Sequence, residues 1–201
     1  MLMRKFLLIC LVLFTTTCYG QHSSSGVTGQ ADSLKMFYSL VVLSQETGVC
    51  DQCEETFLRL FPGTFKVFND VYGWNNETNT MNVLYQYAYQ HMKVLEGISA
   101  KDTAYYHKII GITIGGTWDA DAVDNLQTLV QDLFNDSPGI MLHLLSDRTD
   151  EEIKSFWFFF FDGPHPVKEI PEDVKAATEK FPGVYRQMKL AFDEVHLHTD
   201  H

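Results

Sequence analysis

Apolar residues recur along most of this chain at intervals of three and four, the period that gathers them on one face of an α-helix. Leu34, Phe37, Tyr38 and Val41 follow that spacing behind Ser33 as a candidate cap, and Gly48 supplies a stop. Over residues 51–61 the same period groups Phe57, Leu58 and Phe61, until Pro62-Gly63 breaks it. A short helix over 64–72 then ends at Gly73. Residues 73–80 (GWNNETNT) are a polar loop, and beyond them Met81, Leu84, Tyr85, Ala88, Met92 and Leu95 form a single stripe, which predicts one long helix. Another helix is expected to begin within 99–106. Residues 109–116 (IIGITIGG) are ambiguous, because their isoleucines, threonine and glycines fit a short strand as well as a helix end.

In the second half, Val123, Leu126, Val130 and Leu133 predict a helix over 119–134 with Asp119 as its cap and further acids in its first turn. Ser137-Pro138 reads as a cap followed by a first-turn proline. Thr149-Asp150-Glu151-Glu152 matches a capping box, in which the Thr and Glu side chains satisfy each other's free amides. The helix it opens runs into six consecutive aromatics and stops near Gly163 and Pro164. Two more helices, over 172–181 and 184–197, flank Pro182-Gly183. Short helices joined by tight turns predict an all-α domain over 32–198, an irregular bundle or short superhelix of antiparallel helices, with 199–201 as a frayed tail.

The first 20 residues break the pattern. Arg4 and Lys5 precede an apolar stretch over 6–14, followed by threonines and a small residue at Gly20. That is the order of a secretory signal peptide, and the stretch is too short to span a bilayer, which takes about 20 residues in a helix. Cleavage is expected after Gly20, with the small and polar residues 21–31 as a flexible leader. Lipidation at Cys18 is the rival reading, disfavoured by Thr15 and Thr17. The localisation expected is therefore periplasmic or extracellular. Losing Arg4 and Lys5 and no acid moves the formal net charge from −11 to −13. Such a surface argues against a nucleic-acid partner, whose binding depends on neutralising phosphates. At 45% hydrophobic and 13% aromatic residues, the chain has ample material for a core.

Four groups of residues could carry chemistry. Cys50 and Cys53, with two residues between them in a chain expected to be exported, fit a local disulfide; a thiol-exchange role is opposed by the flanking acids Asp51, Glu54 and Glu55, which disfavour a thiolate. The aromatic run over 156–161 covers every side of a helix, so it is either a helix buried all round or a surface in which Phe156, Trp157, Phe159 and Phe160 meet a partner. At its end His165 stands between two prolines close to Asp162, and an imidazole oriented by a carboxylate could act as a base or a ligand. His196, His198 and His201 at the C-terminus could hold a metal loosely if the tail were unwound. Asp119, Asp121 and Asp124 lack the glycine and terminal Glu of a calcium loop and fit a helix start. No nucleophile elbow, zinc-protease motif or phosphate loop accompanies them, and no cofactor is called for.

The expectation is therefore an exported, non-enzymatic binding or interaction module of the cell envelope, with a protein or small molecule as partner. The alternative is a hydrolase or metal-dependent enzyme using His165 with Asp162, or a thiol–disulfide protein using Cys50 and Cys53.

Overall fold

In this computed structural model, which describes residues 25–48, 50, 52–99 and 101–199, ten α-helices and one two-stranded hairpin are formed. The helices are α1 (Ser25–Thr47), α2 (Cys53–Leu60), α3 (Phe65–Tyr72), α4 (Ala88–Gly97), α5 (Thr103–Thr113), α6 (Ala122–Asp136), α7 (Pro138–Ser146), α8 (Asp150–Phe161), α9 (Glu172–Thr178) and α10 (Pro182–Thr199). Strands β1 (Trp74–Asn75) and β2 (Thr80–Met81) pair antiparallel between α3 and α4. The fold is the all-α bundle expected from the apolar period. The signal peptide and Cys18 lie outside the described residues.

Several boundaries follow directly from local chemistry. Gly48 ends α1 at φ +65°, a conformation that suits glycine, and its N–H donates to Ser44 O. Thr64 caps α3 by accepting from the Val67 amide, and Asp102 caps α5 by accepting from that of Tyr105. The capping box of α8 is complete, with Thr149 Oγ1 accepting from the Glu152 amide and the Glu152 carboxylate accepting from that of Thr149. The ambiguous segment is helical through Thr113, and Gly115 then turns the chain at φ +77°.

Three elements differ from expectation. Helix α1 begins at Ser25, eight residues before Ser33, so it takes in the second half of the stretch read as leader, and Ala31 is fully buried. The long helix expected from Met81 is broken: Met81 belongs to β2, Tyr85–Tyr87 form a 3₁₀ turn, and the α-helix starts only at Ala88. The reason is tertiary. Asn82 Nδ2 donates to Asn69 O, and the amides of Asn82 and Leu84 donate to Gly73 O and Val71 O, so this segment serves the open carbonyls at the end of α3. Asp119 does not cap α6; its carboxylate accepts from the Ala120 amide, and Asp121 occupies the cap position at φ +62° with its side chain turned to the Tyr85 hydroxyl.

The core is aromatic and continuous. Helix α8 packs chiefly on α10, and its rings face α10 and two further elements. Trp157 meets Phe134 of α6 at 5.3 Å, Phe161 meets Phe192 of α10 at 5.2 Å, and Phe159 meets Phe65 of α3 at 5.9 Å between centroids. A second group, Phe57, Phe61, Phe68 and Tyr72, fills the space between α2, α3 and α4. Among the described residues no helix is long and apolar enough to cross a membrane.

Candidate functional site

The C-terminus of α8 sets up the main concavity. A helix end leaves carbonyls without partners, and a run of phenylalanines offers no side-chain donor to them. Helix α6 supplies the donors instead. Gln127 Nε2 lies 2.6 Å from Phe159 O and 2.7 Å from Asp162 O, and Gln131 Nε2 lies 3.0 Å from Phe160 O. Asp162 then turns the chain away: Oδ2 accepts from the Trp118 amide at 2.7 Å and Oδ1 from the Gly163 amide at 2.9 Å. Beyond it, residues 163–167 form a proline-rich arm.

Between α6, this arm and α9 lies a cleft of about 390 Å³. One wall is a single face of α6, carrying Asp124, Gln127, Gln131 and Asn135; Asp173 and Val174 of α9 stand on another side, and Phe160 and Phe161 are part of the apolar lining. Trp118 also lines it, although its indole N–H is closed off from solvent and has no hydrogen-bond partner among the described residues. The sequence pointed to this place through His165 and Asp162, and both line the cleft. The pair is not hydrogen-bonded. Each carboxylate oxygen of Asp162 accepts from a main-chain amide, and the exposed His165 ring makes no hydrogen bond among the described residues. Asp162 therefore organises the loop and does not orient an imidazole.

The other sequence candidates lie apart. Phe156, Trp157 and Phe159 are fully buried and Phe160 is 6% exposed, so the run makes the core; Phe158 is half-buried, and Phe160 and Phe161 line the cleft. The sulfurs of Cys50 and Cys53 are at disulfide-bonding distance with their Cα atoms 5.6 Å apart, and Ser44 Oγ accepts from the Cys50 amide while donating to Cys50 O. His196 Nδ1 bonds to Phe192 O within α10, whereas the His198 side chain and His201 lie outside the described residues. Among the described residues no three His, Cys, Asp or Glu side chains come together as a metal site.

One buried polar group was not anticipated. His91 is fully buried, with Nδ1 2.7 Å from the Tyr72 hydroxyl and its ring among those of Tyr38, Phe57, Tyr72 and Tyr87. Burial, helped by the positive charge of Lys35, lowers its pKa to about 4. Its place beside Met92 in an apolar stripe was the available signal. Gln127 and Gln131 gave no signal, because their role depends on carbonyls about 30 residues away.

Compared with known protein families, curated proteins and solved structures, the chain matches none.

Proposed function

We propose that this protein is an exported, non-enzymatic binding module of the cell envelope whose ligand site is the cleft between α6 and α9. The observation that carries the reading is the cleft itself, about 390 Å³ with both polar and aromatic lining, a size and character suited to a small ligand or a single side chain of a partner. The alternative of a hydrolase or metal-dependent enzyme using His165 with Asp162 loses support from Asp162, whose oxygens serve the Trp118 and Gly163 amides. A general base needs its partner in place, and Asp162 makes no hydrogen bond to His165. The Arg4-Lys5 and apolar opening supports export, and an oxidising compartment is where a cysteine pair such as Cys50 and Cys53 stays joined.

The experiment is a thermal-shift screen of small molecules on the mature chain, with hits confirmed by tryptophan fluorescence in wild type and Trp118→Phe. A saturable ligand whose fluorescence response disappears in Trp118→Phe is the expected result. A screen across charged, neutral and aromatic compounds without a hit at the cleft would count against the reading. Mass spectrometry of the exported chain tests the compartment: a mature N-terminus at Gln21 is expected, and a lipid-modified Cys18 would replace it with an anchored form.

A further inference from the structure

We infer that the cleft selects a small organic cation, an ammonium or guanidinium group on a short apolar stem. The inference rests on the reading of the cleft as the binding site and concerns its chemistry. Gln127 is only 7% exposed, and its Nε2 lies against two main-chain carbonyl oxygens. Only the nitrogen end of a carboxamide can face two carbonyls, so the orientation is fixed. Among the described residues Oε1 has no hydrogen-bond partner and is not among the sealed polar atoms, and the residue lines the cleft, so the cleft is where that acceptor is available. Gln131, one turn further on, is held the same way by Phe160 O. The capping of α8 thus turns two amide groups so that each presents an acceptor.

Carboxylates complete the set. Asp124 stands on the same face of α6 and Asp173 comes from α9, while among the described residues no lysine or arginine lines the cleft. The contrast with the smaller hollow of about 260 Å³ beside Glu96 and Asp132 is informative, because there Lys101 supplies a counter-charge. In the larger cleft the exposed groups able to donate toward the opening are the Asn135 carboxamide and the His165 ring, and both also accept, Asn135 through its oxygen and His165 as a neutral imidazole. Acceptors from two helices above a wall containing Phe160 and Phe161 match a ligand that is all donor at its head and apolar behind it. An anion would meet like charge, and a neutral polyol would leave the carboxylates without a charged partner.

The test is calorimetric titration of the mature chain at low and high salt with 1,5-diaminopentane and agmatine, against 1,5-pentanediol as neutral isostere and glutarate as anion. The two amines are expected to bind saturably, more weakly at high salt, and Asp124→Asn and Asp173→Asn should each weaken them by about fivefold. Asp132→Asn, an exposed acid outside the cleft, serves as control and should leave binding unchanged. Equal weakening by the control would overturn the inference, since the amines would then be reading the acidic surface at large. Binding of the diol or glutarate with Trp118 reporting, and of neither amine, would keep the cleft as the site and overturn its cationic selectivity. Silence of all four probes would overturn the selectivity, and only an empty broad screen would remove the site as well.

Discussion

The Tyr72 hydroxyl and Nδ1 of His91 lie 2.7 Å apart, and both side chains are fully buried. The pairing and the burial together favour one neutral tautomer of the imidazole. If Tyr72 donates, Nδ1 is the acceptor and the remaining ring N–H, which has no hydrogen-bond partner, lies among aromatic rings. A ring N–H is tolerated in such surroundings better than a lone pair is. A protonated ring would place an unpaired charge in the core beside Lys35, which is why its pKa falls to about 4.

The consequence is a pH-dependent stability with a defined window. Because the folded pKa of about 4 lies below the unpaired value of 6.5, the unfolded chain binds a proton that the folded chain refuses. Stability from His91 is therefore complete above pH 6.5 and declines as pH falls toward 4, by about 3 kcal/mol, with no further loss from this group below that. Urea unfolding at pH 7, 5.5 and 4.5 checks this. The double variant Tyr72→Phe/His91→Phe should flatten the profile in that window, and an unchanged slope would assign the loss elsewhere.

Asp162 and His165 separate a structural from a chemical role. Asp162→Ala removes the acceptor for two amides and should cost about 2 kcal/mol in urea unfolding, because charged acceptors make the stronger hydrogen bonds. His165→Ala removes an exposed ring and should change stability by less than about 0.5 kcal/mol. Equal losses in the two variants would mean that His165 is part of the loop's support.

Much of this architecture was legible because period and caps are local. The stripe from Leu34 to Val41, the Thr149–Glu152 box and the stop at Gly48 all act within a few residues, and each is where the residue types place it. What was not legible is non-local. The stripe from Met81 to Leu95 is helical in period, yet Asn82 and Leu84 are claimed by carbonyls of α3. Six aromatics in a row announce burial first and a partner second, and the choice was made by Phe134, Phe192 and Phe65. His165 drew attention to this cleft through a pairing with Asp162 that the structure does not form. The glutamines that shape that cleft carry no motif.

The cysteine pair should be silent until reduced. Freshly purified chain is expected to show no thiol reactivity from Cys50 and Cys53 before reductant and two thiols after it. A loop this short removes little entropy from the unfolded chain, so reduction should lower stability by about 2 kcal/mol at most. Two free thiols without reductant would contradict the disulfide, and a much larger loss would show that the bond holds more than the joint between α1 and α2.

Gly116 tests how tightly the aromatic core is closed. A Cβ there would stand 2.8 Å from Cδ2 of both Phe159 and Phe65 and 2.9 Å from Thr113 O. The two rings could shift, but the carbonyl belongs to the main chain at the end of α5, so relief in one direction tightens another. Gly116→Ala should therefore cost about 1–3 kcal/mol. Gly29, inside α1, meets nothing within 4 Å, and Gly29→Ala should stabilise the fold by about 0.5–1 kcal/mol through the lower backbone entropy of alanine in the unfolded chain. Thermal unfolding of the two variants gives opposite shifts if α1 is helical from Ser25 and the rings of Phe65 and Phe159 close over Gly116. A neutral Gly29→Ala would place the start of stable helix later, nearer the Ser33 suggested by the sequence pattern.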